Sequence, residues 1–180
     1  MKKLVLTLLV LLFSAPLFAD EVQSTIGKFK KAPDTHAFFK NAYGYAVFPT
    51  IGKGGIGIGA AHGKGKVFRK GTYTGNSSMT QISIGFQLGG QAFSQIIFLQ
   101  DKRAYDEFTG GNFEFSAQAS AVALTAGANA QTSTAGNAAG AGETKQKASY
   151  VGGMATFTMA KGGLMYEAAI GGQKFNFKPK

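Results

Sequence analysis

Apolar residues alternate with small or polar residues through much of the chain after Gly44, and this pattern predicts β-strands. A period of two places successive side chains on opposite faces of a sheet. Glycine-rich turns separate the predicted strands, which favours mainly antiparallel pairing in a meander or barrel-like arrangement. The predicted strands cover residues 45–48 (ended by Pro49), 55–59, 67–68, 72–74, 81–86, 93–99, 113–122, 155–159, 164–170 and 175–177.

An apolar stripe of helical period precedes the first strand. Val22, Ile26 and Phe29 recur at spacings of four and three, so residues 20–29 are predicted to form a short amphipathic helix. The stripe has two interpretations. In the first, the stripe inserts into the surface of a membrane while neighbouring lysines contact the headgroups. In the second, it packs on the sheet as ordinary core.

Two further helices complete the predicted fold. Residues 33–43 begin with proline and aspartate, which suit the first turn of a helix, and residues 101–108 are capped by Asp101. Residues 126–147 are rich in alanine, glycine, serine and threonine, so we expect a flexible loop there. The fold class is therefore α+β, a single β-rich domain over residues 20–180 with mainly antiparallel strands and short N-terminal helices.

The first 19 residues have the layout of a secretory signal peptide. Two lysines precede an apolar run from Leu4 to Phe13, and the segment 14–19 then breaks the run and offers a small residue, Ala19, for cleavage. We expect cleavage after Ala19 and an exported protein, periplasmic or extracellular, that is peripheral to a membrane. A retained N-terminal anchor is the alternative. The sequence contains no cysteine, which excludes disulfides and thiolate metal sites.

The basic residues are concentrated in a stretch without acidic residues. The formal net charge is +10, and no aspartate or glutamate occurs between Asp34 and Asp101. Such a stretch repels itself unless an anionic partner or solvent disperses the charge. A solvated basic face that keeps the protein soluble is the alternative. The predicted lipid-binding residues, which include three lysines just before this stretch, are Lys28, Lys30, Lys31, Lys53, Lys64, Lys66, Arg69 and Lys70.

The candidate catalytic residues do not converge on a known chemistry. His36 and His62 lack the glutamates of zinc hydrolase motifs, and G-x-S-x-G is absent. The glycines at 52–59 lack the Walker spacing; they either form an anion-binding nest near Lys53 or Lys64 or allow close strand packing. The carboxylates that could pair are Asp106, Glu107, Glu114 and Glu167. We therefore predict a non-enzyme with no metal and no cofactor.

Several separate blocks of the chain carry a family resemblance. They include FFKNAYGYAVFPTIGKGGIGIGAAHGKGKVF at 38–68, IGFQLGGQ at 84–91, residues 113–124 and GGLMYEA at 162–168, continuing to 172–175, with 126–147 matching weakly. In this order they resemble the SYLF domain, a lipid-binding family. The resemblance implies a compact β-rich domain with affinity for phospholipids and an N-terminal segment that takes part in membrane binding. Some fungal members also bind actin, but export argues against actin, phosphoinositides and nucleic acid as natural partners here.

The expected function is non-enzymatic binding of anionic phospholipid at a bacterial envelope membrane. The alternative is an envelope structural or adaptor protein whose basic face binds a protein or a polysaccharide.

Overall fold

The computed structural model describes residues 17–56, 58–84, 91–116, 119, 121–124, 148–161 and 170–180. Within these residues, eight strands form one sheet. The strands are β1 (Gly44–Ile56), β2 (Ile58–Arg69), β3 (Thr72–Ile84), β4 (Gln91–Leu99), β5 (Phe113–Glu114), β6 (Val122–Leu124), β7 (Met154–Lys161) and β8 (Gln173–Pro179). The helices are α1 (17–30 as described), α2 (His36–Asn41) after a 3₁₀ turn at Pro33–Thr35, and α3 (Lys102–Thr109).

The sheet is mainly antiparallel and has the order β5-β8-β3-β2-β1-β4-β7-β6. The predicted sequential meander holds for β1 to β3 only, because β4 returns to pair with β1 and β8 pairs with β3. The β6–β7 pair is parallel. The sheet is curled, since Gln95 of β4 donates a hydrogen bond of 2.9 Å to Gln173 of β8, four places away in the strand order. The α+β class is confirmed.

Pro49 does not end the first strand, contrary to the prediction. The strand β1 continues through Pro49, and its register with β2 shifts between Val47 and Thr50. Proline has no N–H to donate to the ladder and is tolerated at such a bulge. The bulge changes which face the later residues of β1 occupy.

The prediction of one long strand over 113–122 is also wrong. The chain pairs with β8 through Phe113 and Glu114, then joins β7 at Val122. These partners lie at opposite ends of the strand order, so the chain has to leave one ladder before it enters the other. The alternation in the sequence is real, but the strand partner changes within it.

One face of the sheet, here the α3 face, is covered by α3. The Asp101 carboxylate accepts a hydrogen bond of 2.9 Å from the Ala104 N–H and caps the helix as predicted. Buried residues of this face include Phe48, Ile51, Ala61, Met79, Phe93, Ile97, Leu99, Ala104, Phe108, Met154 and Phe175. The third predicted helix is thus confirmed with its cap and its apolar side.

The opposite face, here the α1 face, is partly covered by α1 and α2. Val22, Ile26 and Phe29 are at most 4% exposed and pack in a cluster with sheet residues such as Phe98 and Phe157. The core interpretation of the apolar stripe is therefore the one that the structure gives. In this arrangement the assignment of these three residues as membrane-inserting does not hold, because α1 would have to leave the sheet to offer them to a bilayer.

Polar contacts fasten α1 to the sheet. The Lys161 ammonium donates a hydrogen bond of 2.8 Å to the Glu21 carboxylate, and the Thr50 hydroxyl donates another of 2.5 Å to the same oxygen. These hydrogen bonds, with Lys161 as the largest cause, lower the pKa of Glu21. The helix is thus held by a charged contact as well as by its apolar stripe.

Several predictions lie outside the described residues. These are the signal peptide up to residue 16, the whole flexible loop at 126–147, Glu167, and the strand predicted over 164–170 except for its last residue. The strands predicted within 93–99, 155–159 and 175–177 are confirmed as parts of β4, β7 and β8.

Candidate anion-binding surface

The predicted lipid-binding residues have no carboxylate partner among the residues that the structure describes. In the part of the chain that the structure describes, ion pairs within 4.0 Å join Lys102 to Asp106, Arg103 to Glu107, Lys161 to Glu21 and Lys174 to Glu114. None of the eight predicted residues takes part in these pairs. Six of the eight are exposed, and the other two, Lys53 and Lys66, are half-buried. Their charges are therefore available to an anionic ligand.

The eight residues do not share one surface. Lys28 and Lys30 lie on α1, and Lys31 follows it directly. Lys64 and Lys66 of β2 lie on the α1 face, because they pair in register with Thr50 and Val47.

Lys53 and Arg69 lie on the other side of the sheet. Lys53 pairs with Ala61, which is buried in the α3-face core, and the Arg69 guanidinium lies 5.8 Å from the ring centre of Tyr105 on α3. The prediction of a single basic surface is therefore wrong for these two residues. The bulge at Pro49 explains Lys53, as the register shift reverses the faces of the following residues.

A surface cleft brings together residues that are far apart in the sequence. It has a volume of about 690 Å³ and lies between α2, the end of α1 and the turn that joins β2 to β3. Its lining residues are Lys30, His36, Phe39, Lys40, Ala42, Gly44, Tyr45, Lys70 and Gly71. Two of the predicted basic residues, Lys30 and Lys70, thus meet at one site.

Aromatic rings and a tight turn position the amines of the cleft. The Lys30 ammonium lies 5.6 Å from the ring centre of Phe39, and the Lys70 ammonium lies 5.4 Å from that of Tyr43. Lys70 and Gly71 both have positive φ, 48° and 79°, as the tightest hairpin connections require. Three lysines and His36 thus line one cleft, with Tyr45 beside them. Burial raises the pKa of the Tyr45 phenol.

Lys40 belongs to this cleft but was not among the predicted site residues. It lies within the acid-free stretch, which is the sequence signal that could have identified it. Its place beside Lys70 depends on the packing of α2 against the start of β1, which the sequence does not reveal.

The glycine-rich segment is not an anion-binding loop in its described part. Residues 52–56 belong to β1 and residues 58–65 to β2, and the two strands pair through Gly55 and Gly59. Their backbone groups take part in the ladder and do not form a nest. His62 lies exposed in β2. Close packing, the other interpretation of these glycines, holds at Gly55, where an added Cβ would meet the Ile58 carbonyl oxygen, but not at Gly52 and Gly54, where no atom lies within 4 Å.

The rest of the α1 face carries a second set of outward residues on β2, β3 and β8. Its basic members are Lys64, Lys174 and Lys178, and its large apolar members are Ile58 and Ile82. Only Lys64 was predicted. The outward direction of Lys174 and Lys178 follows from the alternation of β8, which the sequence could have provided.

The structure shows no arrangement typical of catalysis or of a metal site in its described residues. No group of three or more histidines or carboxylates there could hold a metal ion. Asp106 and Glu107 point to solvent and pair with Lys102 and Arg103 on the same helix. Nor does any described helix have the length and apolar character required to cross a bilayer.

The comparisons with known proteins identify the family. Residues 80–178 match the family model described as "Ysc84: Las17-binding protein actin regulator". Beta cell expansion factor A of Aeromonas veronii is 30% identical over 148 residues, which are 82% of this chain and 50% of that protein. The chain therefore spans about half the length of this curated relative. The matches bear out the resemblance seen in the sequence, and the chain belongs to the Ysc84 (SYLF) family.

Proposed function

We propose that the protein binds anionic phospholipid at the surface of a bacterial envelope membrane, without catalysing a reaction. The observation that carries the proposal is that, among the residues described by the structure, the eight predicted basic residues lack a carboxylate within 4.0 Å, whereas four other basic residues have one. An amine already paired with a carboxylate offers little charge to a phosphate. The six exposed members of the set keep their charge available to a phosphate.

The number of unpaired charges suits a peripheral interaction. Each lysine or arginine near an anionic membrane contributes about 1 kcal/mol, so four or five acting together give useful affinity. The cleft with Lys30, Lys40 and Lys70 adds a place where a single headgroup phosphate meets several amines. Membership of the Ysc84 family supports a binding role, either to lipid or in the manner of an actin regulator.

The proposed place of action is the periplasm or the outside of the cell. Its support is the signal-peptide pattern of residues 1–19. In that setting an anionic phospholipid is the partner that the basic residues would meet. Recovery of the protein from the periplasm or the medium, with an N-terminus that begins at Asp20 by mass spectrometry, tests this part.

Vesicle flotation tests the lipid proposal. The protein is purified from the compartment in which an expressing bacterium places it, and is mixed with vesicles of phosphatidylglycerol and phosphatidylcholine or of phosphatidylcholine alone. A Lys64→Gln/Lys70→Gln variant removes two unpaired charges. A Lys102→Gln/Arg103→Gln variant removes two charges that are already paired on α3. We expect binding to the anionic vesicles only, and a several-fold loss for the first variant but not for the second.

Three outcomes would contradict the proposal. They are equal binding to both kinds of vesicle, equal losses for the two variants, and no vesicle binding together with salt-insensitive capture of an envelope protein or polysaccharide. Cosedimentation with actin filaments in the absence of vesicle binding would likewise favour another role.

A further inference from the structure

Two isoleucines stand in solvent on the α1 face of β2 and β3. Ile58 is 66% exposed and Ile82 is 75% exposed, although isoleucine is among the residue types most often buried. The burial of β2 alternates strictly from Ile58 to Gly65, exposed then buried, so one face of this strand is open along that length. The exposure is therefore a property of the face and not of one side chain.

The register of the sheet shows that both isoleucines share this face with lysines. Ala60 pairs with Ile82 and Lys64 pairs with Ser78, so alternate residues of β2 and β3 point the same way. Ile58 and Ile82 are thus diagonal neighbours, close enough for their side chains to act together.

The strand β8 adds two lysines to the face. Asn76 and Thr80 lie on the same face of β3 as Ile82. Thr80 pairs with Lys174, and Asn76 pairs with Lys178. The outward face of the three strands consists of Ile58, Ala60, His62, Lys64, Asn76, Ser78, Thr80, Ile82, Lys174, Asn176 and Lys178.

The charge of this face is predominantly positive. Among the described residues, its acidic neighbour is Glu114, which pairs with Lys174 at 3.5 Å while both side chains are about half exposed or more. Lys64 and Lys178 make no such ion pair with any carboxylate in the described part of the chain. This face therefore carries the amines of Lys64 and Lys178 beside two exposed isoleucines. Such a surface suits a bilayer, in which headgroup phosphates lie above hydrocarbon.

A second copy of the chain fits this face poorly. If two copies met through the same face, Lys64 and Lys178 of each would meet the lysines of the other, and like charges at an interface are unfavourable. A stable protein interface also buries roughly 800 Å² per partner, much of it apolar at its centre, whereas the apolar part here consists of two isoleucines and one alanine. An anionic polysaccharide would use the lysines but not the isoleucines.

We propose that the outward face of β2, β3 and β8 is the surface that contacts the bilayer. Ile58 and Ile82 enter the boundary between headgroups and acyl chains, while Lys64 and Lys178 lie against headgroup phosphates. This inference rests on the proposed lipid binding and specifies it: the apolar contact comes from the sheet and not from the stripe of α1, which is buried in the core.

A single tryptophan can report the contact, because the chain has none of its own. The Ile82→Trp variant places the indole at the proposed contact, in a strand position that favours aromatic residues. The control is Val151→Trp, at another exposed apolar residue (78% exposed), in the turn that lies beside α3. With phosphatidylglycerol vesicles we expect a blue shift and quenching by brominated acyl chains for the first variant only.

An Ile58→Ser/Ile82→Ser variant provides the matching loss of function. Its side chains are outside the core, so we expect it to fold with unchanged circular dichroism. We expect its affinity for anionic vesicles to fall about tenfold or more, because the apolar contribution is removed.

The outcomes separate this inference from the proposed function. If the unmodified chain floats with anionic vesicles but the Ile82→Trp emission stays unchanged and the serine variant binds normally, the sheet face is not the contact and lipid binding stands. If the unmodified chain does not bind such vesicles, both proposals fail. Sedimentation that shows a dimer, lost in the serine variant, would assign the face to a second copy and overturn the inference.

Discussion

Glycines and lysines alternate in β2 because the two sides of the strand face different surroundings. A Cβ on Gly65 would lie 2.5 Å from the Val47 carbonyl oxygen and 2.7 Å from the ring of Phe48. A Cβ on Gly63 would lie 2.6 Å from the side chain of Ile51. The inward positions of Gly63 and Gly65 therefore admit no side chain, and Lys64 and Lys66 point outward. The repeated Gly-Lys pattern is the mark of a strand with a crowded inner face and a basic outer face.

The crowding at Gly65 gives a prediction for stability. Gly65→Ala forces the new methyl group against the Val47 backbone and the Phe48 ring, so we expect a loss of about 2–3 kcal/mol in the free energy of unfolding. Gly52→Ala, on the neighbouring strand with no atom within 4 Å of the new Cβ, is the control and should change stability by less than about 0.5 kcal/mol. Urea denaturation measures both. Equal effects would refute the close-packing explanation.

At the scale of the element, the attachment of α1 depends on Glu21 and on the protonation of its carboxylate. The contact with Lys161 and Thr50 lowers the pKa of Glu21 below its usual value of 4.5. A group whose pKa is lowered by folding stabilises the fold above its unfolded pKa, and this stabilisation is lost as the pH falls through the folded pKa. The contribution of Glu21 should therefore be complete at neutral pH.

The Glu21→Gln variant tests this contact. We expect a loss of about 0.5–1 kcal/mol at pH 7, a modest value because the Glu21 side chain is 41% exposed. The difference from the unmodified chain should shrink as the pH falls below about 4.5. Unfolding at several pH values measures it, and a double-mutant cycle with Lys161→Gln shows whether the two residues act together. A difference that does not depend on pH would contradict the role of the charge.

The sequence was most informative where the structure is local. The period of the stripe in α1 and the cap of α3 are set by neighbouring residues, and both were predicted correctly. The stripe of α1 showed that the helix needs an apolar partner, but a sheet and a bilayer satisfy the same pattern. The partner of Phe29 was therefore decided only by the fold.

Strand boundaries and faces depended on pairing that the sequence does not show. Val47 and Ile51 are both odd-numbered, yet Val47 packs on the α1 face and Ile51 on the α3 face. The bulge between them reverses the alternation, and it carries Lys53 to the α3 face. Counting along β1 without the bulge would place Lys53 on the same face as Val47, and only the pairing with β2 shows that it lies on the other face.

For the whole molecule, the acid-free stretch was a reliable signal of unpaired charge but not of one binding surface. Folding divides its lysines between the cleft at Lys70 and the open sheet face at Lys64. The fold also adds Lys178, from a distant part of the chain, to that face. A surface built from separate segments emerges only when strand order is known.

The salt dependence of vesicle binding distinguishes the charged contribution from the apolar one. The range of an exposed charge falls from about 10 Å at 0.1 M salt to about 3 Å at 1 M, whereas burial of isoleucine is not weakened by screening. We therefore expect the unmodified chain to lose most of its affinity for phosphatidylglycerol vesicles across this range but to retain a remainder. The Ile58→Ser/Ile82→Ser variant should lose that remainder, and Lys64→Gln/Lys178→Gln should show a shallower slope. Parallel curves for the three proteins, measured by flotation at each salt concentration, would mean that the amines and the isoleucines of this face do not contact the same membrane.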